Sequence, residues 1–216
     1  MQTVVDENMQ DLPEFSMRQF LHVGCGPARK EHTTPEFSSG HWRELRFDID
    51  PSVDPDYVGS MVDMSTVGDN AVDAIYSSHN IEHLYAHEVM LALAEFIRVL
   101  NKNGFLVLTC PDLQEVATLV AEDKLLEAAY QSPAGPIAPL NMIYGFRKSI
   151  ESGNMFMAHR CGFTESVLRD TLVAAGFSSV ATMRRPNHYD LWAVASVSEL
   201  SEMDLRCIAT AHFPEA

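Results

Sequence analysis

The sequence predicts an α/β domain built on a doubly wound, mostly parallel seven-stranded sheet, with an insertion after the fifth strand. Short apolar runs that stop at glycine, proline or acidic residues recur from residue 19 onward, as buried strands do. Amphipathic helical segments alternate with the later runs. This alternation is typical of a parallel sheet whose strands are joined by crossover helices.

Five predicted strands precede the insertion. The first, 19–23, runs into the turn Gly24-Cys25-Gly26-Pro27, and the others are 45–51, 57–63, 71–78 and 105–110. Between the fourth and fifth strands, apolar residues at helical spacing predict a helix over 84–100. We expect this helix to end at Asn101-Lys102-Asn103-Gly104, with Gly104 near the C′ position.

The segment 112–162 interrupts the alternation. A helical pattern over 113–130 gives way to closely spaced prolines and then to a mixture of aromatic, methionine and basic residues. We interpret it as an insertion over the carboxyl edge of the sheet that acts as a lid on a substrate. A helix over 167–175 ends at Gly176, and strands 177–183 and 191–197 follow, joined by a turn in which Arg184, Arg185 and His188 are expected to be solvated.

Length and charge narrow the class of protein. A chain of 216 residues suits one domain over 1–216, with 1–17 as an N-terminal extension. Its 15 Lys and Arg against 30 Asp and Glu give a net charge of −15, which disfavours broad binding to nucleic acid or anionic lipid. No basic, apolar leader and no run of about 18 apolar residues is present. We therefore expect a cytoplasmic protein without membrane segments, with Cys25, Cys110, Cys161 and Cys207 reduced.

Glycines and an acid follow the first two strands, where an open parallel sheet binds ligands. Gly24 and Gly26 permit close approach of a ligand to the backbone, and Asp48, roughly twenty residues on, could accept hydrogen bonds from ribose hydroxyls. A tight turn without a ligand is the alternative. A dinucleotide fingerprint would place its third glycine at Arg29, so an NAD-dependent oxidoreductase is disfavoured.

Four motifs in order resemble those of class I S-adenosylmethionine-dependent methyltransferases, most closely the type 11 group. They are Leu21-His22-Val23-Gly24-Cys25-Gly26-Pro27, Phe47-Asp48-Ile49-Asp50, the segment 73–84 (DAIYSSHNIEHL) and the segment 98–105 (RVLNKNGF). The resemblance covers residues 20–111 most strongly and 163–197 more loosely. It implies a Rossmann-like fold and S-adenosylmethionine as cofactor.

The resemblance also implies a set of cofactor-binding residues. Gly24 and Gly26 would lie against the amino acid part, Asp48 would bind the ribose, Asp63 with Met64 would contact adenine, and Ser78 with His79 would flank the sulfonium. The full set is His22, Gly24, Cys25, Gly26, Asp48, Ile49, Asp63, Met64, Ser78 and His79. The family often has an acid where His22 stands. Asp50 competes with Asp48 or caps a turn.

Histidines recur at four-residue spacing at positions 79, 83 and 87, with Glu82 among them. One interpretation is a helix N-terminus with partly exposed histidines. A second makes His79 or His83 the catalytic base, which a hydroxyl acceptor requires. A third is a metal site of His79, Glu82 and His83, because ubiquinone-type O-methyltransferases carry a Glu-x-x-Glu-His site at this place.

We expect the insertion to select the acceptor. Its apolar and cationic side chains suit an acidic or polyhydroxylated small molecule, and the candidate substrate-binding residues are Asp112, Tyr144, Arg147 and His159. Asp112 could equally be a helix N-cap. The predicted function is methylation of a small acceptor, O-methylation of a sugar or secondary metabolite, in a possible homodimer. The alternative is an inactive methyltransferase-like module serving as a partner subunit.

Overall fold

The computed structural model describes residues 17–214, so the predicted extension over 1–17 lies outside the described residues except for Met17. Within this range the chain forms nine strands and seven α-helices. In chain order they are β1 Arg18–Val23, α1 Pro35–Ser38, β2 Trp42–Asp48, β3 Tyr57–Val58, β4 Val72–Ser78, α2 Val89–Val99, β5 Leu100–Pro111, α3 Leu113–Ala121, β6 Tyr130–Ser132, β7 Gly135–Ile137, α4 Pro139–Tyr144, α5 Arg147–Glu151, α6 Glu165–Ala175, β8 Ser179–Arg185, β9 Asp190–Ser196 and α7 Glu202–His212.

Seven strands form the main sheet in the order β3-β2-β1-β4-β5-β9-β8. The first five run parallel to one another, and β9 lies between β5 and β8 and is antiparallel to both. The strand order reverses between β1 and β4, which opens a crevice at their carboxyl ends. The predicted doubly wound, mostly parallel seven-stranded fold is confirmed.

Alternate residues of the central strands supply a core on each face of the sheet. On β5, Leu106 and Leu108 join the core covered by α2 and α6, while Phe105 and Val107 join the core covered by α1 and α7. Successive side chains of a strand point to opposite faces, so a strand covered on both faces has a nearly continuous apolar run. Helices on both faces make the sheet rigid where its strands end at the crevice.

Several element boundaries differ from the predicted ones. Strand β3 has two residues instead of seven, and the predicted helix over 113–130 ends at Ala121. Helix α2 starts at Val89, and residues 81–83 form a separate 3-10 turn. The four-residue spacing of histidines 79, 83 and 87 therefore does not lie on a helix, and the interpretation of a helix N-terminus there is wrong.

Gly104 does not end helix α2. The helix ends at Val99 and β5 begins at Leu100, so Gly104 lies within β5. Leu100 pairs with Val72 and Phe105 pairs with Ala74, so residues 101–104 bulge out of the strand. The Asn101 side chain donates a hydrogen bond to Asp73 across the bulge, at 2.7 Å. The apolar residues of β5 predicted the strand, whereas the bulge depends on how β5 pairs with β4.

The insertion between β5 and α6 contains α3, the β6–β7 hairpin, α4 and α5. Its interior is a third, small core of Val116, Ile137 and Met142. Helix α7 was not predicted. Among the described residues no helix has the length and apolarity needed to cross a membrane, and the four cysteines are free thiols.

Candidate functional site

A cavity of about 440 Å³ lies at the carboxyl ends of β1, β2 and β4. Residues of the insertion close its outer side. The lining includes Gly24, Gly26, Asp48, Ile49, Asp50, Gly59, Met61, Val62, His79, Asn80, His83, Phe156, Met157 and Arg160. This is the topological position at which doubly wound sheets bind nucleotide ligands.

The turn after β1 depends on its two glycines. Gly24 has φ +67° and Gly26 has φ +50°, a region that side-chain-bearing residues rarely adopt. A Cβ atom on Gly24 would lie 2.3 Å from Asn80 Nδ2, so the Asn80 side chain occupies that space. Sequence reasoning missed Asn80; its only signal is its position directly after His79 at the end of β4.

Asp48 holds this turn against the end of β2. Its Oδ2 accepts a hydrogen bond from the Gly26 N–H at 2.7 Å, and its Oδ1 accepts one from Asp50 N–H at 2.9 Å. Asp50 caps the 3-10 turn over 51–53, as one interpretation had it, by accepting from Ser52 N–H at 2.8 Å. Buried Arg46, also missed, donates to the carbonyl of Gly26.

Five of the predicted cofactor residues line the cavity, and they are Gly24, Gly26, Asp48, Ile49 and His79. Two others point elsewhere. The buried His22 ring contacts Glu44 Oε1 at 2.7 Å. Cys25 is buried, and burial raises the pKa of its thiol to about 11. Cys25 is therefore a buried, unreactive thiol outside the cavity lining.

The predicted adenine-contacting pair also lies off the cavity. Asp63 is exposed, and Met64 is fully buried in the core beneath α2. Their neighbours Met61 and Val62 line the cavity instead. The difference arises because β3 ends at Val58, so the chain turns past the cavity earlier than a seven-residue strand would allow.

Ser78 is likewise turned away from the cavity. Its hydroxyl shares a hydrogen bond with the Thr109 hydroxyl of β5 at 2.8 Å. His79, the next residue, has φ +49° and lines the cavity. A left-handed backbone at a non-glycine residue is unusual and is found more often at functional sites.

A second cavity, of about 600 Å³, lies between the insertion and the ends of β5 and β9. It shares His79, His83 and Met157 with the first cavity. One part of its wall is aromatic and apolar, from Tyr130, Ile137, Met142, Phe146, Met157 and Tyr189. The rest is polar, from His79, Glu82, His83, Gln131, Asn141, His159, Arg185, Asn187, His188 and Asp190. The two cavities therefore meet at the end of β4.

Of the four predicted substrate residues, only His159 lines this second cavity. Asp112 is fully buried, caps α3 and pairs with Arg184. Tyr144 and Arg147 are exposed and line neither of the two cavities that meet at His79. Tyr144 instead lines a third, smaller cavity of about 200 Å³ that also touches Glu82 and His159. Arg184 and Arg185, expected in a solvated turn, instead end strand β8, and Arg185 pairs with Asp190.

Four ionisable side chains meet where the cavities join. Glu82 is 1% exposed, and its Oε1 lies 3.5 Å from His79 Nδ1 and 4.0 Å from His159 Nε2. One ligand atom each of Glu82, His83 and His159 lie within 4.8 Å of one another. His159 reaches this place because the C-terminal end of the insertion is bound to the 81–83 turn. The backbone N–H groups of Arg160 and Cys161 donate to Glu82 O, at 2.8 and 3.3 Å.

The charges within this group influence one another. Burial alone would raise the pKa of Glu82, but His79 and, more weakly, His83 and His159 hold it below its ordinary value. Neighbouring protein atoms desolvate His79 and oppose its charged form although its side chain is about half exposed, yet the Glu82 carboxylate outweighs this and raises the pKa of that histidine. Burial lowers the pKa of His159. Glu82 is thus ionised at neutral pH, next to a neutral His159.

The fold and the first cavity define a class of protein, a doubly wound α/β domain with a nucleotide-type cofactor site beside its first strand. The family model described as a methyltransferase domain matches residues 21–108, from β1 into β5. Over this segment the chain is similar to a methyltransferase domain. The matched segment carries the glycine turn, Asp48, His79 and Glu82.

Solved structures give the same fold. A SAM-dependent methyltransferase from Archaeoglobus fulgidus is 12% identical, with a TM-score of 0.53, and the alignment covers 84% of this chain and 86% of that one. The 1,6-didemethyltoxoflavin-N1-methyltransferase of Burkholderia thailandensis, solved with 1,6-didemethyltoxoflavin and S-adenosylhomocysteine, is 16% identical, with a TM-score of 0.54 and coverage of 84% and 71%. A comparison with curated proteins found no match.

Proposed function

We propose that this protein transfers the methyl group of S-adenosylmethionine to a hydroxyl group of a small acceptor. The observation that supports this most directly is the junction of two cavities at His79, His83 and Met157. One cavity is built for a nucleotide-type cofactor and part of the wall of the other is aromatic. A methyl group can pass between them only where they join.

The cofactor occupies the first cavity. Gly24 and Gly26 lie against its amino acid part, Asp48 accepts hydrogen bonds from the ribose hydroxyls, and Met61 with Val62 flanks the adenine. Each Asp48 oxygen already accepts one backbone N–H, and a carboxylate oxygen has a second lone pair for a hydroxyl. The sulfonium then lies near His79.

His79 is the proposed base. Its side chain is about half exposed, at 48%, and Glu82 near Nδ1 favours the tautomer that leaves Nε2 free to accept a proton. The acceptor hydroxyl gives its proton to Nε2 as its oxygen attacks the methyl carbon, and the carbon–sulfur bond breaks to release S-adenosylhomocysteine. His83 faces both cavities as well, and with its Nδ1 3.3 Å from Ala158 O its Nε2 is also free, so His83 is the alternative base.

The acceptor is a hydroxylated secondary metabolite with an aromatic ring. Tyr130, Phe146 and Tyr189 offer faces on which a planar ring can stack, and the cavity size suits a ligand of this kind. Arg147, the arginine expected to bind an acidic acceptor, lies outside the cavity, and Arg185, which lines it, is paired with Asp190. Gln131, Asn141 and Asn187 also line the cavity and can bind the polar substituents of such a ring. The segment 112–162 acts as the lid.

Calorimetry with S-adenosylhomocysteine, followed by a turnover assay on a panel of hydroxylated aromatic compounds, tests the proposal. We expect micromolar binding and methylation of at least one panel member. His79→Ala should lower the turnover rate about 100-fold while leaving S-adenosylhomocysteine binding within a factor of a few. The matched control, His87→Ala, removes an exposed histidine that lines neither cavity and should leave turnover unchanged.

Two results would contradict the proposal. Absence of S-adenosylhomocysteine binding would refute the cofactor site. Binding without turnover of any oxygen acceptor, or full turnover by the His79→Ala variant, would refute the hydroxyl acceptor and the base.

A further inference from the structure

We infer that Glu82, His83 and His159 together bind a divalent transition-metal ion at the wall of the acceptor cavity. The three residues come from two distant parts of the chain, the 81–83 turn after β4 and the end of the insertion. Each offers one ligand atom, and these atoms all lie within 4.8 Å of one another. All three line the acceptor cavity.

The spacing is close to that of a bound ion. Tetrahedral coordination with bonds of about 2.1 Å places ligand atoms about 3.4 Å apart. His159 Nε2 lies 4.0 Å from Glu82 Oε1. Small side-chain rotations, of the order of 1 Å at the ligand atoms, therefore close the site around an ion.

Both histidines are oriented as metal ligands are. His159 Nδ1 lies 2.8 Å from the Met142 carbonyl oxygen, and His83 Nδ1 lies 3.3 Å from the Ala158 carbonyl oxygen. A carbonyl can only accept, so each Nδ1 carries the proton and each Nε2 keeps its lone pair. A backbone carbonyl behind the ligating imidazole is the usual outer partner in metal sites.

Glu82 supplies an independent observation. Its side chain is 1% exposed, and within the described part of the chain neither carboxylate oxygen has a hydrogen-bond partner; His79 Nδ1, 3.5 Å from Oε1, is its nearest ion-pair partner and leaves Oε2 without one. Burying an ionised carboxylate without hydrogen bonds is costly, so such a group is normally paired or coordinates a metal. A cation at this point would coordinate both carboxylate oxygens, or it would coordinate one while the other pairs with His79.

Two imidazoles and one carboxylate select Zn²⁺, Fe²⁺, Co²⁺ or Mn²⁺ over Ca²⁺ and Mg²⁺, which prefer oxygen ligands. Three protein ligands leave at least one position open toward the acceptor cavity. An acceptor hydroxyl bound there would lose its proton more easily. This last role rests on the proposed function, whereas the ion-binding site itself does not.

Binding of Zn²⁺ to chelator-treated protein, measured by calorimetry, tests the site, and visible absorption of Co²⁺ reports its ligands. We expect one equivalent of Zn²⁺ per chain, and a d–d spectrum of nitrogen and oxygen coordination with Co²⁺. Glu82→Gln, His83→Gln and His159→Gln should each weaken Zn²⁺ binding at least 100-fold. His87→Gln removes an exposed histidine that lines neither cavity, and binding should stay within twofold.

His79→Gln distinguishes this ligand set from one of His79, Glu82 and His83. We expect that variant to keep Zn²⁺ affinity within about tenfold of the wild type. Retention of binding by His159→Gln together with its loss in His79→Gln would overturn the assignment, as would the absence of a stoichiometric site in the wild type.

Two controls keep the outcome clear. Circular dichroism and thermal unfolding establish that each variant is folded, and His83→Gln, a partly exposed position, remains informative if Glu82→Gln fails to fold. S-adenosylhomocysteine binding is measured separately. Metal binding without cofactor binding would refute the proposed function and keep the site; the converse would refute the site alone.

Discussion

Arg184 Nε donates a hydrogen bond to Asp112 Oδ2 at 2.6 Å, and the receiving carboxylate is fully buried. Its other oxygen accepts from the N–H groups of Gln114 and Glu115 at the start of α3. One side chain therefore caps the first helix of the insertion and binds the edge strand β8. This pairing fixes the point at which the insertion leaves the sheet.

Removing this carboxylate should destabilise the protein. Asp112→Ala deletes a helix cap and leaves Arg184, which is 32% exposed, partly solvated without its partner. We expect a loss of about 2–3 kcal/mol in the free energy of unfolding, measured by urea denaturation. The control Asp170→Ala breaks the exposed pair with Arg169 and should cost less than about 0.5 kcal/mol. Equal losses in the two variants would contradict the structural role of Asp112.

Asp48→Asn should weaken S-adenosylhomocysteine binding about tenfold or more, which corresponds to about 1.4 kcal/mol. The amide keeps the size of the side chain but presents one donor group where the Gly26 N–H, the Asp50 N–H and the ribose hydroxyls all need acceptors. Asp63→Asn is the matched control, since Asp63 is exposed outside the cavity lining. If calorimetry showed a larger loss of affinity for Asp63→Asn than for Asp48→Asn, the adenine contact of Asp63 expected from the sequence would be supported instead.

Phe146→Ala should raise the KM for the acceptor about tenfold, with kcat and cofactor affinity little changed. Phe146 lines the acceptor cavity, whereas Tyr144, two residues earlier, is 61% exposed and lies outside it. Burial of one aromatic ring against a ligand contributes roughly 1–2 kcal/mol. Tyr144→Ala should therefore leave KM unchanged in steady-state assays on an acceptor from the panel. A larger effect for Tyr144→Ala would move the acceptor to the third cavity, which Tyr144 lines.

His212 should make stability fall in mildly acidic solution. Its ring is buried at the end of α7 and shares a hydrogen bond with the Thr34 hydroxyl at 2.8 Å. Burial lowers the pKa of His212 from 6.5 to about 4. The unfolded chain thus binds more protons between these two values, so the free energy of unfolding decreases as pH falls from about 6.5 to about 4.

The total effect of His212 across that window is at most about 3 kcal/mol. Urea denaturation at pH 7.5 and pH 5 measures the part of this effect above pH 5, about 2 kcal/mol. His212→Gln should have a smaller loss of stability between the two pH values than the wild type, whereas His41→Gln, at an exposed position, should behave as the wild type does. An unchanged pH dependence in His212→Gln would show that other groups cause the decline.

The sequence alone determined the sheet. The apolar runs of β1, β4 and β5 and the glycine end of α6 are local signals, and burial on both faces imposes them over a few consecutive residues. The turn at Gly24 and Gly26 and the acid at Asp48 follow directly from strand ends. Helix α7 also carried a local signal, because Ser201 caps it by accepting from Asp204 N–H. The apolar stripe of α7 is weak, so periodicity did not predict the helix.

Only the tertiary structure decided which side chains meet. Glu82 and His159 are 77 positions apart in the chain, and they come together because backbone hydrogen bonds from Arg160 and Cys161 hold the insertion on the 81–83 turn. Tyr144 and Arg147 have the residue types expected of a substrate site, yet both are exposed and line neither of the two cavities that meet at His79. Strand ends are fixed by local burial patterns, whereas the approach of an insertion to a sheet depends on contacts between segments far apart in sequence. The acceptor side of the site therefore could not be predicted from the residues alone.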